Sequence, residues 1–302
     1  MPHAAWPALD YSAWKDTCET LHMWTQVVGK IRLALEPRVN HWWHVALYVS
    51  ARGLTTGAMP VPGDARRLEL EFDFLDHVLA ARASDGRVET LPLSGLSVQQ
   101  FYDAVMATVR RLDVDVRIWP QPVEVTNAIR FSDDTRAAYD REYARRFWEV
   151  LLRSDAALRR FRASFLGKVS PVHFFWGSFD LAVTRFSGRT APPHPGGVPN
   201  LADWVVREAY SHEVSSCGFW PGGPGIDAAF YSYAYPEPEG FATFPINVDG
   251  ARYDTTLREF VLPYATVRGA ADPEALLAAF FTRTFEAAAT QGKWEKTLEA
   301  RF

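Results

Sequence analysis

The spacing of the apolar residues changes repeatedly along this chain between the helical period and the strand period, which restricts the chain to folds that mix helices and strands. Apolar side chains recur three or four positions apart, as one buried helix face requires, in residues 12–35, 97–112, 134–168 and 272–292. β-branched and aromatic residues, which favour strands, are concentrated in residues 41–52, 68–93, 115–125, 173–188, 228–238 and 258–267. This order predicts an α+β fold with an antiparallel sheet and flanking helices.

The same order of elements occurs twice. A long helix, several strands and a further helix are predicted in residues 1–130, and the series recurs in residues 131–302. His41 and His173 each begin an aromatic strand at corresponding places in the two series. We therefore predict two weakly similar α+β halves packed as one unit, although chance similarity would give the same pattern. The second half also contains a Gly/Pro-rich insert at 189–227.

Composition and charge exclude several classes of partner. The net charge is −4, and a protein that binds nucleic acid or an anionic membrane usually carries a basic excess instead. The chain lacks the roughly 18 consecutive apolar residues of a membrane helix, and the pattern of its first residues predicts no secretory signal. Cys18 and Cys217 are far apart in sequence and suggest no disulfide framework. We expect a cytoplasmic protein whose partner is a small molecule.

The Gly/Pro-rich insert concentrates side chains that can bind metals. A helix predicted at 201–214 would place Glu208 and His212 four positions apart on one face, where they can both reach one ion. Zinc or iron suits such ligands. The alternative is that these residues are structural, because isolated histidines more often form a local hydrogen bond. The candidate metal ligands are His173, His194, His212 and Glu208.

The same insert allows a nucleophilic interpretation. Cys217 precedes a glycine-rich stretch whose backbone N–H groups can stabilise an oxyanion, and His212 lies five residues before it. The candidate catalytic residues are therefore His212, Glu213 and Cys217. This hypothesis requires an accessible thiol with a lowered pKa, whereas a buried Cys217 would be inert.

Aromatic residues suggest where a ligand binds. Gly177 lies within a predicted strand, which indicates a bulge or a close approach by backbone or ligand, and Asp180 is a charge in an otherwise apolar segment. Arg185 borders the same strand and can hold an anionic group. The candidate ligand-binding residues are Trp43, Phe175, Trp176, Phe219, Trp220 and Arg185.

Several aromatic-rich strings carry a resemblance that spans nearly the whole chain. HWWHV, SPVHFFWGSFDLAVTRFSGR and SHEVSSCGFWPG resemble the signature blocks of an uncharacterised bacterial protein family, a domain of unknown function. The resemblance implies one continuous unit, and it brings no activity with it.

These observations predict a metal-assisted or acid–base enzyme that acts on a small organic molecule in an aromatic-lined pocket. A binding protein without catalysis, which holds an apolar or aromatic ligand, is the first alternative. An enzyme that depends on Cys217 is the second.

Overall fold

Two antiparallel sheets organise residues 6–296, the part of the chain that the computed structural model describes. The first sheet contains β1 (Tyr48–Val49), β2 (Gly53–Thr55), β3 (Met59–Pro60), β4 (Arg67–Asp73), β5 (Val78–Ala83) and β6 (Val88–Pro92). The second contains β7 (His173–Phe175), β8 (Asp180–Thr190), β9 (His212–Trp220), β10 (Ala229–Tyr235), β11 (Arg252–Asp254) and β12 (Glu259–Pro263).

The strand order is nearly sequential in both sheets. The first runs β1-β2-β4-β5-β6, with β3 beside β4, and the second runs β7-β8-β9-β10-β12-β11. A backbone bridge joins the sheets at their edges, because the N–H groups of Leu47 and Phe174 donate to each other's carbonyl at 2.9 Å. The predicted α+β class with antiparallel strands is confirmed.

Six helices accompany the sheets in the described residues. They are α1 (Tyr11–Leu35), α2 (Val98–Arg111), α3 (Arg141–Ala163), α4 (Asp203–Ala209), α5 (Tyr264–Gly269) and α6 (Pro273–Gln291). None of these helices is long and apolar enough to span a membrane.

The helix ends follow local sequence signals. The Ser97 hydroxyl accepts from the Gln100 N–H and the Gln100 side chain accepts from the Ser97 N–H, which forms a capping box at the start of α2. Asp272 caps α6 in front of Pro273. Asp140 caps α3, which therefore begins at Arg141 and not at the start of the helical pattern predicted for residues 134–168.

The second sheet has one face against helices and one face against a cavity. Phe230 on β10 contacts Phe281 of α6, with ring centroids 6.0 Å apart. Because side chains alternate along a strand, the neighbouring Tyr231 points to the opposite face. That face also carries Asp180 and Ser216.

Each half has a long helix followed by a sheet and a further helix, in the predicted order. A common origin of the halves, and their division at residue 130, stay predictions. The outer limits of the two predicted halves, residues 1 and 302, lie outside the described residues. The insert at 189–227 holds α4 and the whole of β9 between its loops.

Five predicted elements differ from the structure. One is the strand predicted at 258–267, which ends at Pro263, where α5 begins with Tyr264. Residues 41–52 begin with a kinked 3₁₀ segment, Asn40–Val45, in which His41 and Trp42 have left-handed φ values of 57° and 60° that a strand does not allow. Residues 115–125 are irregular, and the prolines there cannot donate to a sheet. Residues 173–188 form a hairpin of two strands, and the helix predicted at 201–214 ends at Ala209 before β9 begins.

Candidate functional site

A cavity of about 590 Å³ lies against the polar face of the second sheet. Ligand pockets commonly measure roughly 300–1,000 Å³. Helix α1, the 3₁₀ segment Asn40–Val45, residues 117–124 and α4 contribute the walls opposite the sheet. Five of the eleven tryptophans line it, namely Trp42, Trp43, Trp119, Trp176 and Trp204. The walls therefore offer planar apolar surface.

Glu124 presents a carboxylate to this cavity from an uncommon backbone conformation. Its φ is 60°, a left-handed value that is unfavourable for a residue with a side chain, and its N–H donates to Pro199 O at 2.8 Å. The carboxylate packs directly on Gly177, where an added Cβ would lie 2.1 Å from Glu124 Oε1. Such strain is concentrated at functional sites in proteins.

Helix α1 holds both sides of this contact. The Gln26 side chain forms two hydrogen bonds with the backbone of Val123, since its Nε2 donates to the carbonyl and its Oε1 accepts from the N–H, each at 2.9 Å. His22 Nε2 donates to Gly177 O at 2.8 Å. Burial lowers the pKa of His22 to about 4, so its ring is neutral near pH 7. Two side chains one helical turn apart thus fix where the Glu124 carboxylate lies.

Asp180 supplies a second carboxylate on the floor of the cavity. It accepts hydrogen bonds from Ser178 Oγ and Tyr231 OH. Burial raises the pKa of Asp180. The protein around Glu124 raises its pKa to about 7, first by desolvation and then by the charge of Asp180. Glu124 is accessible to solvent, and its side chain lines the cavity.

Hydroxyl groups cover the rest of the polar floor. Tyr210 OH and Tyr233 OH lie 2.8 Å apart, and Thr184 Oγ1 lies 2.9 Å from Ser216 Oγ. Burial raises the pKa of Tyr210 to about 12 and that of Tyr233 well above its ordinary value. These phenols stay protonated near neutral pH and can donate hydrogen bonds to a bound molecule.

Lys30 lines another part of the cavity. Its side chain is almost entirely buried, and Nζ lies 5.3 Å from the Trp119 ring centroid and 5.8 Å from that of Trp176. Burial lowers the pKa of Lys30 to about 8. The ammonium group is therefore still charged near pH 7.

A basic cluster borders the cavity elsewhere. Lys168 Nζ lies 2.7 Å from Nε2 of the cavity-lining His41, whose Nδ1 donates to Ala209 O at 3.0 Å. The ring centroids of His41 and His212 are 5.5 Å apart. Burial lowers the pKa of His41, and the positive charge of nearby Lys168 lowers it further.

A family model described as a family of unknown function, DUF5996, matches residues 6–300. The chain belongs to this family. Every residue named above for the cavity lies within the matched region of DUF5996. No curated protein and no solved structure matches the chain.

The four predicted metal ligands of this DUF5996 chain do not converge. His194 stacks on Tyr210, Glu208 pairs with Arg38, and His212 lies beside His41. His173 is fully buried among aromatic rings, and neither of its ring nitrogens has a hydrogen-bond partner. In residues 6–296 no group of three or more His, Cys, Asp or Glu side chains is arranged to hold a metal ion.

Strand β9 separates the three predicted catalytic residues. His212 points to the cavity side of the sheet, whereas Glu213 and Cys217 point to the other side, because these residues form a strand and not the predicted helix. Glu213 binds Arg189 and Ser187. Cys217 is buried against the helices, and burial raises the pKa of its thiol, which disfavours the thiolate.

Half of the predicted ligand-binding residues reach the cavity of the DUF5996 fold, namely Trp43, Phe175 and Trp176. Phe219 packs behind the sheet, where its ring centroid lies 5.1 Å from that of Phe230. Arg185 also lies behind the sheet, with its guanidinium 3.5 Å from the Phe161 ring centroid. Trp220 covers Gly223 and is outside the cavity lining.

Sequence reasoning missed Lys30, Glu124, Tyr231 and Tyr233. Glu124 lies among prolines in a segment predicted as a strand, and Lys30 follows a glycine in a helix. Besides the three aromatic residues, Gly177 and Asp180 did point to the site. The close approach inferred at Gly177 is made by the carboxylate of Glu124.

Proposed function

We propose that this protein is an acid–base enzyme that acts on a small organic molecule bound in the cavity. The observation that carries the proposal is the Glu124 carboxylate, held in a left-handed conformation against Gly177. Its pKa of about 7 lets it accept or donate a proton near neutral pH. A general base or acid works best when its pKa is close to the pH of the reaction.

The surrounding groups have distinct roles in this proposal. The tryptophan walls bind the planar or apolar part of the substrate. Tyr210 and Tyr233 share one hydrogen bond between their hydroxyls, so one hydroxyl hydrogen is free to donate to a substrate oxygen that gains negative charge. Burial raises the pKa of Glu124, the charge of Asp180 raises it further, and Asp180 is itself held by Ser178 and Tyr231.

A binding protein without catalysis is the second candidate. The predominance of aromatic and aliphatic residues in the cavity walls supports it, because such a surface binds an apolar molecule whether or not chemistry follows. The two candidates differ in one respect: only the enzyme moves a proton.

The experiment begins with a screen of small organic molecules for binding to the full chain by native mass spectrometry. Each bound molecule is then incubated with protein in D₂O, and NMR measures deuterium uptake or conversion. We expect the Glu124→Gln variant to bind the molecule and to react at least about 100-fold more slowly than the wild type. Glu142→Gln, a surface change on α3, is the matched control and should retain the wild-type rate.

Three results would count against the proposal. An unchanged rate in Glu124→Gln would remove the acid–base role of Glu124. Binding without deuterium uptake or conversion for any bound molecule would favour the binding protein. If no molecule binds, the cavity is not a ligand site.

A further inference from the structure

Lys30 is a buried cation without an anionic partner. Its residue is 4% exposed, and no ion pair or hydrogen bond of its Nζ is formed with another residue of the described 6–296. Desolvation of the buried ammonium group lowers its pKa. The rings of Trp119 and Trp176 are its neighbours within the cavity.

Such an arrangement is unfavourable unless an anion joins it. A lysine normally extends its ammonium group into water, and a buried ammonium without a counter-charge destabilises the folded state. The tryptophan rings offset part of this desolvation through cation–π contacts. Arg117, two residues before Trp119, also lines the cavity and adds positive charge there. This part of the cavity is therefore positively charged and suited to bind an anionic group.

We propose that the cavity takes an organic anion whose carboxylate or similar singly charged group pairs with Lys30 Nζ, while its planar apolar body lies among the tryptophans. The inference rests on the proposed function, since it uses the same cavity. Trp176 contacts Lys30 and is followed by Gly177, on which the Glu124 carboxylate packs. A molecule that is anchored at Lys30 and extends along Trp176 thus presents its far end to Glu124.

The first measurement compares two probes on the wild-type protein. Naphthoate carries a carboxylate on a planar apolar body, and naphthamide is its uncharged amide of nearly the same shape. Quenching of tryptophan fluorescence reports binding of either probe. We expect naphthoate to bind about tenfold or more tightly than naphthamide, because a buried charge-assisted hydrogen bond is formed only with the carboxylate.

The second measurement assigns that preference to Lys30. Lys30→Met replaces the ammonium with an apolar group of similar length, and we expect it to bind both probes with equal affinity and to melt at a higher temperature than the wild type. Lys15→Met changes an exposed lysine of the same helix and should keep the preference for naphthoate. Lys30→Gln repeats the comparison if Lys30→Met does not fold.

The outcomes separate this inference from the proposed function. Equal affinities for the two probes in the wild type would overturn the anion site and leave a cavity that binds neutral molecules. A preference for naphthoate that persists in Lys30→Met would also overturn it, by placing the anion elsewhere. If neither probe binds, both the anion site and ligand binding in this cavity are contradicted.

Discussion

The two faces of the second sheet differ sharply although the same strands form both. The face toward α3 and α6 is mostly apolar, with Leu181, Val183, Cys217, Phe219, Phe230 and Leu262. The cavity face carries Asp180, Thr184, Ser216, Tyr231 and Tyr233. Arg185 is a buried charged residue on the helix face, and its guanidinium donates to Phe161 O in the last turn of α3, where a cation is favourable.

The difference shows which face stabilises the fold and which face is shaped for a ligand. Burial of apolar side chains is the main stabilising contribution in folding, so the helix face does what a protein core does. Buried carboxylates and phenols stabilise a fold little, because their hydrogen bonds only offset the loss of hydration. The cavity face is thus explained better by what it binds than by what it stabilises.

The strongest test of the comparison removes a ring from the helix face. Phe230 is fully buried and contacts Trp6, Phe219 and Phe281. We expect Phe230→Ala to lower the free energy of unfolding by about 3–5 kcal/mol, because it removes apolar contacts and leaves a cavity. Denaturation in urea measures the loss. A decrease below about 1 kcal/mol would contradict the assignment of this face as the core.

A smaller effect is expected at the support of the cavity face. Gln26→Ala leaves the N–H and carbonyl of Val123 without their side-chain partner, which we expect to cost about 1–3 kcal/mol. It should also free Glu124 from its position on Gly177 and so bring the pKa of Glu124 down toward its ordinary value. Denaturation and a carboxyl ¹³C NMR titration measure the two effects.

Gln99→Ala, at an exposed position in α2, serves as the control for Gln26→Ala and should change neither quantity. If Gln26→Ala loses stability while the Glu124 pKa stays near 7, the loop holds Glu124 without help from α1.

Local signals were sufficient for much of the fold and for little of the site. Asp272 and Pro273 mark the start of α6 within a few residues, so the helix was predictable. The left-handed residues at His41 depend on distant contacts, among them the bond from His41 to Ala209. The position of Glu124 depends on Gln26, which is 97 residues away from the carbonyl of Val123 that it binds. No periodicity or spacing encodes such a contact.

The structure does not bring the candidate residues of the insert together, for a related reason. Spacing of four residues between Glu208 and His212 has meaning only within one helix, and α4 ends at Ala209. Once β9 begins at His212, alternation places His212 and Cys217 on opposite faces. Gly177 and Asp180 were informative because a glycine and a charged residue are both unusual within a predicted apolar strand. The sequence alone reveals this, without knowledge of the residues that they contact.

The smallest expected effect concerns how pH acts on the cavity face. Glu124 has a pKa of about 7 in the folded protein against an ordinary value of 4.5. Below pH 4.5 both states hold the proton, so Glu124 adds no pH dependence there. Between these values the unfolded chain releases its proton while the folded protein keeps it. Stability therefore decreases as the pH rises through this range, and the loss is complete above the folded pKa.

Glu124→Gln has no proton to release, so its stability relative to the wild type should increase between about pH 5 and about pH 8. Glu259 also has a raised pKa of about 7, and it remains in both proteins, so its contribution cancels in the difference. Urea denaturation of both proteins at the two pH values measures that difference. An equal difference at both values would mean that Glu124 titrates as an ordinary carboxylate and that the cavity face is as hydrated as an open surface. An increase would show that Glu124, which packs on Gly177 beside the cavity face, holds a proton near neutral pH in the folded protein.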